Sequence, residues 1–293
     1  MSYLNEQKNK FIQIVGIDLD GTLLNDQKKI CKRNIEILQK AKEAGIKIVL
    51  CSGRPAEGMQ RELSTLNLKE EGQYGIALNG GIIYQTKDST PIFQYPMDPK
   101  AAEELILLGR SMPEQLHIQL YTKSNVMVET WCQETEYYEQ STGSHLVQVD
   151  DLMPYTKEAV KMVFFLHTGK WPQPDGALDG ILSLKSTVLP QITQRVQCVI
   201  SAPYLLEFFD TDVDKGKAVE KLAGYLGVPQ EAVMCIGDLE NDLPMLQYAG
   251  MSVAMKNGSD EVKQIAHYIT SADNNQGGVA EAVEKLVSFQ SKF

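Results

Sequence analysis

Short apolar runs closed by polar or glycine-containing turns alternate with stretches whose apolar residues recur every three or four positions. Residues 11–17 lead into Asp18-Leu19-Asp20-Gly21-Thr22, residues 46–51 into Ser52-Gly53-Arg54-Pro55, and residues 74–78 into Asn79-Gly80-Gly81. Each run reads as a buried strand. Between the first two, Ile35, Leu38 and Ala41 recur at helical spacing and Gly45 supplies a stop. Strand–helix–strand alternation of this kind predicts a parallel sheet with helices on both faces.

The pattern changes near residue 84. Strand-like runs at 115–122, 125–129, 160–166 and 196–200 are interleaved with helical stretches at 100–111, 132–141 and 176–189, and residues 171–176 read as a loop. The short turn at 122–125 predicts antiparallel pairing of its flanking strands. The first pattern then returns. Val219, Leu222, Ala223 and Leu226 follow i, i+3, i+4, i+7, strands are expected at 232–236, 251–255 and 267–270, and a helix carrying Val279, Val283, Leu286 and Val287 closes the chain. The expected fold is α/β: a Rossmann-like parallel sheet built from residues 1–84 and 205–293, with an inserted α+β unit at 85–204. Asn79-Gly80-Gly81 and residues 207–212 are placed as hinges.

Composition narrows the function. The chain has 293 residues, 43% of them apolar and 23% charged, so it buries a sizeable core. A net charge of −10 argues against nucleic acid and against an anionic membrane surface as partner. It leaves room for a small phosphorylated ligand in a locally positive pocket. The five cysteines, Cys31, Cys51, Cys132, Cys198 and Cys235, are odd in number and form no CxxC or Cys/His motif, so neither a disulfide framework nor a zinc site is expected. Cys51 and Cys235 lie in apolar runs and read as small buried thiols. No apolar stretch reaches membrane-spanning length and the first ten residues are polar, so a cytoplasmic setting is expected.

The candidate chemistry lies where apolar strands end and helices begin. Alternation along the strand is expected to aim Asp18 and Asp20 the same way, and two adjacent carboxylates raise each other's pKa. Ser52-Gly53, Lys215-Gly216-Lys217 and Gly237-Asp238-Leu239-Glu240-Asn241-Asp242 complete four polar clusters. In open parallel sheets ligands bind beyond the carboxyl ends of the strands. Carboxylates beside a lysine and a glycine-containing turn suit a phosphate held with Mg²⁺, which takes hard oxygen ligands, while the turn's N–H groups cradle the anion. Such a set supports phosphoryl transfer with an aspartate nucleophile.

In this order, DxDGT, SGRP, the Lys-Gly helix start and GDxxND resemble the haloacid dehalogenase superfamily of phosphatases. The inserted unit, Ser201-Ala-Pro-Tyr-Leu-Leu-Glu207 and Val253-Ala-Met255 resemble its Cof-type branch with a C2-type cap, nearest to the sugar-phosphate phosphatases. The resemblance implies that Asp18 is the nucleophile and Asp20 the general acid and base. It implies that Asp18, the Asp20 carbonyl and Asp238 hold Mg²⁺, that Ser52, Gly53, Lys215 and Asn241 bind phosphate, and that Thr22 and Asp242 support them. The implied substrate is a small phosphorylated metabolite, a sugar phosphate above all, read by the cap. A phosphomutase and a non-catalytic sugar-phosphate-binding protein on the same scaffold are the alternatives, and the sequence leaves the oligomeric state open. His117, His145, His167 and His267 fall outside every cluster and read as surface or packing residues. Trp131, Tyr137 and Tyr138 read as core, Arg54 as an ion-pair partner, and Asp210, Asp212 and Asp214 as a solvated edge.

Overall fold

The structure, a computed structural model, describes residues 11–112, 116–166, 177–192, 195–202 and 204–288. His167 and the expected loop at 171–176 lie outside them. In chain order the elements are β1 (Ile14–Asp18), α1 (Lys32–Glu43), β2 (Lys47–Cys51), α2 (Gln60–Thr65), β3 (Tyr74–Ala77), β4 (Ile82–Gln85), β5 (Pro91–Gln94) and α3 (Pro99–Ser111). There follow β6 (Leu116–Tyr121), β7 (Val126–Val128), α4 (Gln133–Thr142), β8 (Leu146–Gln148), β9 (Lys161–Leu166), α5 (Ala177–Val188), β10 (Val196–Ala202) and β11 (Leu205–Asp210). The chain ends with α6 (Lys215–Leu226), β12 (Val233–Gly237), α7 (Leu243–Tyr248), β13 (Met251–Ala254), α8 (Asp260–Ile265), β14 (Tyr268–Ile269) and α9 (Gly278–Leu286).

Contacts divide the chain into two units, one of residues 1–52, 60–93 and 214–293, the other of 53–59 and 94–213. The first is an eight-stranded sheet in the order β14-β13-β12-β1-β2-β3-β4-β5. From β14 to β3 neighbouring strands are parallel, and β4 turns back antiparallel to β3. The strand order changes direction at β1, which lies between β2 and β12, so its carboxyl end is the topological switch point where α/β sheets bind ligands. Val15 and Ile17 are fully buried, as expected of a strand covered on both faces. In α1 the buried stripe is Asn34, Ile37, Leu38 and Ala41, one position off the expected Ile35. A polar residue belongs to it because Asn34 Oδ1 accepts the Ala280 N–H at the start of α9, 2.9 Å away.

The second unit is a six-stranded sheet, β10-β11-β9-β6-β7-β8, and β6 and β7 pair antiparallel as expected. Ile118, Leu120, Met162, Phe164, Leu206 and Phe208 form a core with residues of α3 and α5, including Leu105, Ile106 and Ile181. Alternation sends His117, Gln119, Tyr121, Lys161 and Glu207 to the opposite face.

Three expectations are corrected. The return to the first unit comes at 213/214 rather than 204/205, because β11 pairs with β9 and β10. Its apolar sequence, LLEFFD, fits a strand of either sheet, and only register decides between them. The departure comes at 93/94 rather than 84/85, because β4 and β5 extend the first sheet. The expected hinge at 207–212 begins inside β11 and ends in the turn just before the 213/214 passage, whereas Asn79-Gly80-Gly81 lies at no passage between units. A Cβ on Gly80 would stand 2.4 Å from the Asp214 carbonyl, so that turn is tightly packed, and Glu207 is a buried residue of β11.

Candidate active site

β1 ends at Asp18, and the chain turns there instead of continuing. Leu23 and Leu24 N–H groups bond back to the Asp18 and Leu19 carbonyls at 3.2 and 2.9 Å. Strand alternation therefore does not reach Asp20. Asp18 is 6% exposed, whereas the Asp20 carboxylate stands partly in solvent and accepts Lys28 Nζ at 2.6 Å. Asn25 Oδ1 shapes the loop that carries Lys28 by accepting the Gln27 and Lys29 N–H groups. Gly21 has φ +86°, and a Cβ there would lie 2.3 Å from Asp238 Oδ2. Glycine is what lets this loop pass directly over Asp238.

The partners of Asp18 come from the far end of the sequence. Asp214 caps α6 by accepting the Lys217 N–H at 2.7 Å, which fixes Lys215 as the first helical residue. Gly216 allows that turn to reach α7, since a Cβ would stand 2.4 Å from the Pro244 carbonyl. Lys215 is fully buried, and its Nζ bridges Asp18 Oδ1 and Asp242 Oδ1, each at 2.6 Å. Asp242 folds back over the end of β12, its Oδ2 accepting Asp238 N–H at 2.8 Å and Leu239 N–H at 3.2 Å. Gly237 makes room for this turn, because its Cβ would fall 2.5 Å from that of Asp242. Asp238 is held by Thr22, whose hydroxyl donates to Oδ1 at 2.6 Å.

Asp18, Asp238 and Asp242 each offer a carboxylate oxygen within 4.8 Å of the others. Three buried carboxylates thus face one buried ammonium. Burial pushes Asp18 up to about 7, Asp242 adds to the rise, and Lys215 opposes it. Asp20, the neighbour singled out in the sequence, is the smallest of these influences. Asp238 is raised well above the usual range by burial and then by Asp18 and Asp242. Burial pulls Lys215 down, but the two carboxylates it touches outweigh burial and raise it. A cation relieves this surplus of negative charge. Thr22 and Lys215 engage the Oδ1 atoms of Asp238 and Asp18, and both oxygens of Asp242 are engaged. The donor set therefore fits a hard divalent ion held through Asp18 and Asp238, with Asp242 orienting them.

A pH dependence follows. A carboxyl raised in the folded state favours folding below its unfolded pKa, and that contribution is lost as pH rises through the folded value. For Asp18 the window runs from 3.8 to about 7. A hard divalent ion such as Mg²⁺ is expected to raise Tm little at pH 5.5 and more at pH 8, measured against a chelated control. A pH-independent increment would contradict the cluster.

Ser52 follows β2, whose Cys51 is in register with Asp18. It is buried, its N–H bonds the Ile76 carbonyl at 2.9 Å, and its own carbonyl accepts Asn79 N–H at 3.0 Å. Asn241 Nδ2 donates to Asn79 Oδ1 at 3.3 Å. Gly53 belongs by its contacts to the second unit, where its carbonyl accepts Lys161 Nζ at 2.8 Å. The structure therefore gathers Asp18, Thr22, Lys215, Asp238 and Asp242 into one cluster, ties Asn241 to Asn79, and pairs Asp20 with Lys28.

Sequence reasoning missed Lys28, Asn79 and Lys161. Asn79 had a signal in Asn-Gly-Gly, where φ +55° at Asn79 marks a strained turn. It also missed the asparagines that pin the first loop: Asn257 Nδ2 donates to the Gly21 carbonyl at 2.7 Å and Asn274 Nδ2 to the Leu24 carbonyl at 3.0 Å. In the second unit His117 comes within 4.8 Å of Cys132 and Glu134, a grouping the spacing does not reveal. All five cysteines are free, and burial pushes the Cys51 thiol up to about 12, which makes it inert. Asp210 and Asp212 pair with Arg195, while Asp214 caps α6.

A switch-point acidic cluster with one buried lysine, on a parallel α/β sheet that carries an inserted unit, defines a class of hydrolases. The chain belongs to the haloacid dehalogenase-like hydrolase family, whose sequence model matches residues 15–283. It is a phosphatase of that family. "Putative phosphatase YxeH" of Bacillus subtilis (strain 168) is 35% identical over 280 residues, covering 94% of this chain and 98% of that one. The 5-amino-6-(5-phospho-D-ribitylamino)uracil phosphatase YwtE of the same organism is 27% identical over 299 residues, covering 95% and 99%. A crystal structure of a haloacid dehalogenase-like hydrolase from Bacteroides thetaiotaomicron superimposes with a TM-score of 0.80 at 28% identity, covering 94% of this chain and 99% of the other. Among the described residues no helix is long and apolar enough to cross a membrane.

Proposed function

We propose that the protein is a Mg²⁺-dependent, cytoplasmic phosphatase that hydrolyses the phosphate monoester of a small polyhydroxylated metabolite, a sugar phosphate or a related polyol phosphate. The observation that carries this reading is the buried Asp18–Lys215–Asp242 bridge with Asp238 alongside, at the carboxyl end of β1. In this reading Asp18 attacks phosphorus in line, the P–O bond to the leaving alkoxide breaks, and an aspartyl phosphate forms. Asp20 gives the alkoxide a proton, then takes one from the water that hydrolyses the intermediate. Its pairing with Lys28 is partly solvent-exposed, so it is weak and leaves the side chain free to turn. Lys215 stays charged and holds the Asp18 carboxylate in place through Oδ1. Asn241, the Gly53 N–H and Ser52 orient the phosphate. When bound, Mg²⁺ is held by Asp18, the Asp20 carbonyl and Asp238 and supplies neutralising charge beside the phosphate oxygens.

The substrate class draws on the YwtE relative, whose name describes a phosphorylated ribityl compound. A phosphate-release screen over phosphorylated metabolites, with Mg²⁺ present, tests the proposal. Turnover of polyol and sugar phosphates is expected, stopped by a chelator and restored by Mg²⁺. Metal-independent release would overturn the metal assignment. Turnover that requires a bisphosphate activator would point to a mutase.

A further inference from the structure

Lys161 is a long, charged side chain that is 1% exposed, at the start of a strand in the second unit. Its Nζ donates to the Gly53 carbonyl and to Glu207 Oε1, each at 2.8 Å, and sits 4.7 Å from the centre of the Tyr121 ring. Glu207 is 3% exposed and also accepts the Ser201 hydroxyl at 2.7 Å. A buried ion pair is a poor way to stabilise a fold, because desolvating two charges offsets most of their attraction. A well-packed apolar pair would serve a purely structural purpose as well. The third partner suggests another purpose. Gly53 lies in the turn proposed to bind phosphate, and Lys161 holds that turn by its carbonyl.

The geometry of the turn gives this contact leverage. A peptide is planar, so anchoring its carbonyl also aims the N–H on its other side. Asn79 N–H on the Ser52 carbonyl aims the Gly53 N–H, and Lys161 on the Gly53 carbonyl fixes the next peptide, whose N–H is that of Arg54, so both planes flanking Gly53, and with them its φ and ψ, are held. Glycine without such anchors samples many conformations, and ordering it on binding costs affinity. We infer that Lys161, held by Glu207, is a positioning residue that presets the Gly53 turn for phosphate. This rests on the phosphatase reading above and assigns Lys161 no contact with substrate.

The test uses the full-length enzyme and the best substrate from the screen. Lys161→Met combined with Glu207→Gln removes both charges at nearly constant volume, so neither member of the pair is left charged without the other. KM and the inhibition constant for inorganic phosphate are expected to rise at least tenfold together, kcat to fall less than threefold, and Tm to stay within a few degrees. Glu207→Gln alone keeps Lys161 on Gly53 and is expected to shift both constants less than threefold. Unchanged constants in the double variant would overturn the inference. So would an equal rise in Glu207→Gln, which would place the effect in the sheet rather than in the Gly53 contact. Wild-type turnover and its loss in Asp18→Asn test the phosphatase reading separately.

Discussion

Asp18→Asn is expected to abolish turnover, by roughly 10⁴-fold or more, as removal of a nucleophile does in other covalent catalysts. The amide matches the carboxylate in shape but does not attack phosphorus. General acid–base help supplies only about 10²–10⁴ of an acceleration that approaches about 10²¹ for phosphate monoesters, so Asp20 does not replace the lost step. Folding is expected to survive. Asp18 is one of three buried carboxylates, and Lys215 keeps Asp242 as its partner when Asp18 is neutralised. In the absence of metal the variant should melt no lower than wild type, because burial disfavours the charge that it removes. Near wild-type phosphate release from a purified Asp18→Asn preparation would sink the proposed nucleophile.

Lys215→Met should be damaging in a different way. It leaves the Asp18 and Asp242 oxygens buried without their donor, and uncompensated buried charge costs about 3–5 kcal/mol. For a chain of this size that corresponds to a fall in Tm of roughly 10 °C. Mg²⁺ should restore part of the stability, since a divalent ion offsets the same carboxylates, but activity should not return because the nucleophile loses its anchor. Melting curves with and without Mg²⁺, paired with phosphate release, check both halves. Equal stability of wild type and variant in chelator would show that the bridge is not what holds the cluster together.

Much of the architecture was legible in the chain. β1, β2, β3 and β12 are apolar runs closed by turns, and their alternation with helices announced a parallel sheet. The four motifs fell at strand ends and helix starts, which is where the structure places them. What was misread is equally specific. LLEFFD looked like a return to the first sheet and pairs instead with β9 and β10. An apolar strand carries no mark of which sheet will take it, since the choice is made by partners distant in sequence. Asp18 and Asp20 looked like a matched pair, but the strand ends at Asp18, and Asp20 turns to Lys28. Periodicity does not foresee where hydrogen bonding to a neighbour stops.

The sequence by itself determined which residues are available for the chemistry, because aspartates, a lysine and glycine turns at strand ends are local features of composition and spacing. It also determined the class of fold, because burial on both faces of a strand requires an unbroken apolar run. Only the tertiary structure decided which charges meet. Asp242, more than two hundred residues away, is the neighbour that raises Asp18 most, and Lys215 is the cation that binds both. Electrostatic coupling depends on distance and burial, and neither exists until strands from the two ends of the chain lie side by side.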